Sequence, residues 1–183
     1  ELIRDAKARN VKVTCETCPH YFSATDEEIL SYNTNAKINP PLREQSDCEA
    51  IIDGICDGTI DVIATDHAPH TAEEKTREFD LAPFGTVGFE TALPLAYTYL
   101  VESGSIDMLR LVRIMSHTPA KLLGLPVVYV KPGAMADLVI FDPACEWTVR
   151  ADELHGKSAN CLYDGWLLKG KVVHTIIGGE IKC

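Results

Sequence analysis

Basic residues are in short supply. Lys and Arg number 17 against 27 Asp and Glu, a formal charge of −10. That deficit argues against nucleic acid or an anionic membrane surface as a partner, since both reward a basic face. Long apolar runs are missing too. None reaches the roughly 18 residues that a membrane-spanning helix needs, although hydrophobic residues make up 46% of the chain, an ordinary share for a globular protein. No signal peptide is seen ahead of the seven cysteines, an odd number, so reduced thiols in a cytoplasmic protein are expected rather than a disulfide framework. There is no internal repeat and no low-complexity tract. An initiator Met is also lacking. The chain opens inside a helical pattern, with Leu2, Ile3 and Ala6 on one face and Asn10 placed for a left-handed cap. A fragment of a longer protein is expected.

What is present is concentrated in six residues, Thr65-Asp66-His67-Ala68-Pro69-His70. They follow an apolar run, Ile60-Asp61-Val62-Ile63-Ala64, bounded by Gly58 and Pro69. Such a run predicts a buried parallel strand over 60–65. An acid and two imidazoles then stand where that strand runs out into a loop, which in α/β proteins is where ligands bind. A carboxylate there can hold a metal or take a proton, so Asp66 is the strongest candidate.

The surrounding pattern is α/β. Residues 11–17 have strand composition. Cys48, Ile51, Ile52 and Ile55 recur at helical spacing over 47–57, and Gly58 ends that helix. Strand, helix, strand makes a βαβ unit. Further helices are predicted over 87–103, with Ala92, Leu95, Ala96 and Tyr99 on one face and Pro94 as a kink or a start. Another is predicted over 106–116, with Met108, Leu111, Val112 and Met115 as its stripe. Thr118-Pro119 reads as an N-cap followed by Pro at the first position, and Gly124 as a stop. Beyond Pro126 the pattern changes to short β runs over 138–141, 147–150 and 172–177, punctuated by glycines. The expected division is residues 1–126 as an α/β body and 127–183 as a small β-sandwich-type module.

Other candidates carry two readings. Cys15-Glu16-Thr17-Cys18 lacks the second ligand pair of a zinc ribbon, and residues three apart on a strand point to opposite faces. Buried thiols are expected there. His20 either faces the site of Asp66 or is a satisfied structural histidine. Asn39-Pro40-Pro41-Leu42-Arg43 is stiffened by two prolines, which would hold the Asn39 amide against a polar ligand. The highly charged segment 71–80 is a solvated loop or a lid. Gly85, after Pro83-Phe84, would let backbone approach a ligand closely.

These residues resemble the bacterial type of dihydroorotase, within the amidohydrolase superfamily. The pieces that carry the resemblance are Glu16-Thr17-Cys18-Pro19-His20, Asn39-Pro40-Pro41-Leu42-Arg43, Asp57-Gly58-Thr59-Ile60-Asp61, Thr65-Asp66-His67-Ala68-Pro69-His70, and Ala82-Pro83-Phe84-Gly85 running into Glu90-Thr91-Ala92. Gly133-Ala134-Met135-Ala136-Asp137-Leu138-Val139 looks like the superfamily's closing β module. The resemblance implies the C-terminal part of a (β/α)8 metal-dependent hydrolase barrel with zinc at the carboxyl ends of its strands. It implies that Asp66 is a zinc ligand that also shuttles the nucleophile's proton. Asn39 and His70 are implied to bind substrate through their side chains, and Phe84 and Gly85 through backbone. The implied reaction is the reversible cyclisation of N-carbamoyl-L-aspartate to dihydroorotate in pyrimidine (UMP) biosynthesis. The remaining zinc ligands, an H-x-H among them, belong upstream of Glu1, so these residues should hold only the seventh and eighth strands. Small-molecule substrate, a homo-oligomer or an aspartate transcarbamoylase partner are the implied associations. Two alternatives stand beside this. Cys18-Pro19-His20-Tyr21 also looks like allantoinase, and the tail is shared with hydantoinases and dihydropyrimidinases. A non-catalytic scaffold subunit is the third possibility.

Overall fold

The helix expected from Cys48, Ile51, Ile52 and Ile55 forms, and it organises the first half of the chain. In a computed structural model, which describes residues 1–127 and 129–182, it runs Gln45–Cys56 (α3) and buries Cys48 and Ile55. It is preceded by α1 (Leu2–Ala8), a two-residue strand β1 (Glu16–Thr17), and the single turn α2 (His20–Ser23). Asn10 closes α1 in the left-handed region, φ 58°, with the Asn10 and Val11 amides returning to the carbonyls of Lys7 and Ala6. Leu2 is exposed, so the expected face of α1 narrows to Ile3 and Ala6. What fixes α1 is polar: Lys7 Nζ donates to Gly58 O, Thr59 O and Asp61 Oδ2.

After α3 the chain returns as β2 (Val62–Ile63), parallel to β1, with Glu16 opposite Val62 and Thr17 opposite Ile63. The bonds Asp61 N to Cys15 O and Ala64 N to Thr17 O, both 2.8 Å, extend the pairing at each end. The expected strands over 11–17 and 60–65 are therefore much shorter than their composition suggested. A ladder needs partners, and among the described residues each of the two strands has one neighbour.

The helical half departs from the expectation at several points. After the turn α4 (Ala72–Lys75), α5 (Ala92–Ala96) begins only at residue 92 and passes into a π-helical stretch, Tyr97–Val101. Pro94 sits in its first turn, where the missing N–H costs nothing. Likewise α6 (Met108–Val112) passes through a π stretch, Arg113–His117, into α7 (Thr118–Leu122). Asp107 caps α6 by accepting from the Arg110 amide. Thr118 is thus not an N-cap but lies within a continuing helix, at φ −66° and ψ −46°. The wider turn also shifts the stripe. Leu111 and Ile114 are fully buried while Val112 is exposed.

The tail forms one antiparallel sheet in the order β3 (Leu138–Thr148), β4 (Leu167–Ile177), β5 (Glu180–Ile181). The expected run 138–141 and the first two residues of 147–150 merge into β3, which ends at Thr148, with irregular pairing between Asp142 and Glu146. Of the expected module, residues 128 and 183 lie outside the described residues. Two cores hold the fold. Phe22, Ile55, Ile60, Ile63, Ala96, Leu100, Leu111 and Ile114 form one. In the other, Val149, Cys161, Leu162, Tyr163 and Leu168 of the tail pack with Ala24, Ala36, Ile38, Leu42, Val87 and Leu95. Tail and body therefore share a core. Among the described residues no helix is long and apolar enough to cross a membrane.

Candidate functional site

Because β1 and β2 are parallel and in register, the residues just beyond them leave the sheet on the same side. This brings Cys18 and His20 against Asp66. Their donor atoms, one thiol sulfur, one imidazole nitrogen and one carboxylate oxygen, lie within 4.8 Å of one another. His20 is 1% exposed. Its Nε2 lies 3.8 Å from Asp66 Oδ2, too far for a hydrogen bond, and has no other partner among the described residues. Burial pushes the His20 pKa down to about 4 against the pull of Asp66, so the ring is neutral near pH 7. Burial, then the charges of Asp66 and Glu16, push the Cys18 thiol up to about 12. Asp66 itself sits at φ 48°, a left-handed conformation that Asp tolerates better than most side chains. Its side chain is 48% exposed.

A buried imidazole with an orphaned nitrogen beside a carboxylate and a thiol suits a divalent cation of intermediate softness. Nitrogen, sulfur and oxygen donors are those zinc takes, although a closed site needs about four. His20, open between two readings in the sequence, is placed at the site. Cys18, expected as a core thiol, is buried but also borders Asp66, and Cys15 does not join the group.

The other expected residues form a second network. His70 Nε2 donates to Phe84 O at 2.9 Å. Gly85 N donates to Lys37 O at 2.8 Å, two residues before the exposed Asn39. Tyr21 Oη donates to Pro40 O, tying this segment back to α2. The Lys37 ammonium lies over the Phe84 ring, 4.7 Å from its centroid. Much of the 84–85 backbone is therefore already engaged within the protein. Asp66 belongs to the first cluster and His70, Phe84 and Gly85 to this one, while Asn39 is exposed on the adjoining 37–40 segment.

Segment 71–80 is tied down near its start. Thr71 and Glu74 form a capping box on α4. Lys75 is buried and donates to Thr34 O and Pro83 O. Its pKa falls to about 8 through burial and the neighbouring Lys37 charge. His67 is engaged elsewhere. Its Nδ1 accepts from the Gly88 amide, and its ring stacks on Phe89 at 3.8 Å. A larger cavity of about 700 Å3 lies beside Phe89, Trp147, Leu154 and His155, but none of Asp66, His70, Asn39, Phe84 and Gly85 lines it.

Gly85 can be tested directly. Its φ is +125°, and a Cβ there would sit 2.4 Å from Ala68 Cβ. Gly85→Ala in the full-length protein is expected to cost about 1–3 kcal/mol, read as a lower urea midpoint. An unchanged midpoint would mean that the 84–87 segment can retreat from Ala68 freely.

Sequence reasoning missed two residues. Cys18 becomes visible only once the parallel register is known. Asn160 is a buried amide from the tail that bonds to both the 68–70 and 85–87 segments. It carries no local motif.

Comparison with known proteins gives concordant results. A profile described as the amidohydrolase family matches residues 2–182, and that family is generally metal-dependent. The chain is 53% identical over 180 residues to a dihydroorotase of Geobacter sp. (strain M21), covering 98% of this chain and 42% of that protein. It is 53% identical over 181 residues to a dihydroorotase of Acetivibrio thermocellus, covering 99% and 42%. Among solved structures, an L-hydantoinase (dihydropyrimidinase) from Arthrobacter aurescens superposes with a TM-score of 0.91 at 29% identity, covering 98% of this chain and 41% of that one. A dihydropyrimidinase from Brevibacillus agri gives 0.88 at 25% identity, with the same coverage. The chain thus spans about two fifths of the length of the relatives it matches.

Proposed function

We propose that this chain, which belongs to the amidohydrolase family, carries the seventh and eighth strands of the (β/α)8 barrel of a dihydroorotase, with residues 127–183 as its closing β module. The reaction is the reversible cyclisation of N-carbamoyl-L-aspartate to dihydroorotate, a cytoplasmic step of pyrimidine biosynthesis. The observation that carries this reading is the likeness to dihydroorotases at 53% identity over nearly all of the chain, against 29% for the hydantoinase.

The donors this chain offers to zinc are Asp66 with Cys18 and His20 beside it, and the remaining ligands are expected upstream of Glu1. Zinc, when bound, lowers the pKa of water and polarises the amide carbonyl. Asp66 takes the proton of the attacking water and returns it to the departing ring nitrogen, and the reverse on cyclisation. Its open side chain can reach solvent and substrate alike. His20, neutral and buried, walls one side of Asp66 without adding charge. Asn39 offers an amide with both donor and acceptor to the pyrimidine ring. His70, held by Phe84 O through Nε2, keeps its ring in a fixed plane for the substrate, and the 84–85 backbone completes that wall. The substrate is a small molecule, and the acidic charge disfavours nucleic acid. A homo-oligomer, or assembly with an aspartate transcarbamoylase, is part of the same reading.

A hydantoinase or dihydropyrimidinase is the second reading, favoured by the TM-score of 0.91. Steady-state assays of the full-length protein with dihydroorotate, allantoin and hydantoin separate the two. Turnover of dihydroorotate is expected. Turnover of hydantoin or allantoin without dihydroorotate would overturn the proposal, and inactivity on all three would favour a scaffold subunit.

A further inference from the structure

We infer that Asn160 is a positioning residue for substrate, holding the His70 segment and the Phe84-Gly85 segment together as one binding wall. The inference rests on the proposal that these segments contact substrate. Asn160 is 5% exposed and reaches the site from the tail. Its Oδ1 accepts from the His70 amide at 3.0 Å. Its Nδ2 donates to Ala68 O at 2.9 Å and to Gly85 O at 3.2 Å. Its own carbonyl accepts from the Val87 amide at 2.9 Å and from Thr86 Oγ1 at 3.0 Å. Thr86 Oγ1 in turn accepts from the Leu162 amide at 2.8 Å.

The amide orientation follows from these partners. Oδ1 faces a donor and Nδ2 faces two carbonyls, whereas a flipped amide would set like against like at all three contacts. A side chain of this size that accepts once and donates twice must be Asn. Asp keeps the acceptor facing His70 but loses both donors and places a carboxylate against two carbonyl oxygens. In a buried network of this kind each unmet group acts at low dielectric.

Both segments it joins end in expected substrate contacts. His70 Nε2 lies 2.9 Å from Phe84 O, so a shift of either segment also moves the imidazole. A displaced wall loses contacts to the bound substrate, and each lost 1.4 kcal/mol is about tenfold in affinity. Asn160 touches no reacting atom, so its effect should fall on substrate affinity rather than on the metal or the proton carrier.

The test is Asn160→Asp in the full-length protein, with kcat and KM for dihydroorotate, zinc content and the urea midpoint measured together. The expected result is a KM raised about tenfold or more, with zinc content unchanged and kcat within about threefold. A purely structural role would lower the midpoint and the active fraction, cutting kcat and zinc content at unchanged KM, and that outcome would overturn the inference. Asn160→Ala, which buries no charge, is measured in the same way if the Asp variant is insoluble. Insolubility of both would assign Asn160 to folding and likewise overturn it. Wild-type protein inactive on dihydroorotate would instead defeat the underlying functional proposal, a separable result.

Discussion

Asp66→Asn in the full-length protein should lower the turnover of dihydroorotate by at least about a hundredfold, since a positioned general base is worth roughly 10²–10⁴. The substitution is nearly isosteric. It also suits the backbone, because Asp66 sits at φ 48° and Asn enters the left-handed region readily. Loss of activity therefore cannot be blamed on strain. Asn keeps one oxygen for a metal but neither the charge nor the basicity of a carboxylate. Zinc content measured beside turnover separates the two duties: an inactive, zinc-loaded variant isolates proton transfer, and an inactive, zinc-poor one shows that the anionic ligand is needed first. Near-normal turnover would mean that another group carries the proton.

The second large effect concerns the 183 residues expressed by themselves. They should self-associate, bind zinc weakly and show no dihydroorotase activity. Parallel strands occur almost only where both faces are covered, and a barrel leaves no edge open, yet β1 and β2 have a single neighbour each among the described residues. Leu2, Leu30, Tyr32, Leu109, Leu123 and Val130 are between 74% and 88% exposed, an excess of apolar surface that favours association. Unpaired strand edges add to it. Among the described residues the candidate metal donors grouped at Asp66 number three, and one of them is a thiol whose burial opposes ionisation. Size-exclusion chromatography, metal analysis and the dihydroorotate assay read all three expectations. A monomeric, zinc-loaded, active chain would refute the barrel assignment.

The sequence was most informative where chemistry and chain order coincide. Ile60 to Ala64 followed by Asp66 needs only local logic, an apolar strand ending in an acid, and the structure places Asp66 just past β2. The helix over 47–57 was legible because a regular 3.6-residue period produced Cys48, Ile51, Ile52 and Ile55. The same period misled at Val112, which is exposed while Ile114 is buried, and the Thr-Pro capping signal misled at Thr118, because the π stretch at Arg113–His117 carries the helix on and no single residue type announces it. Cys18 joins Asp66 only through the register of two strands 46 positions apart. Strand length failed for a related reason, since composition reports burial while a ladder depends on neighbours. Asn160 was invisible: its partners are about 90 positions away, and nothing around Ser158-Ala159-Asn160-Cys161 marks it.

The shared core and Asn160 have a consequence for how the protein comes into being. Synthesis proceeds from the N-terminus, but the wiring here closes backwards. Asn160 follows His70 by 90 positions, and at about 5–20 residues per second it emerges some 5–18 seconds later. Leu42, Val87 and Leu95 wait in the same way for Val149, Leu162 and Leu168, and until Asn160 emerges the 68–70 and 85–87 segments lack their common tie. A ribosome-bound chain therefore already displays Asp66 while the segments proposed to bind substrate are still untied. Both the shared core and this tie are therefore completed late, by residues 149–168.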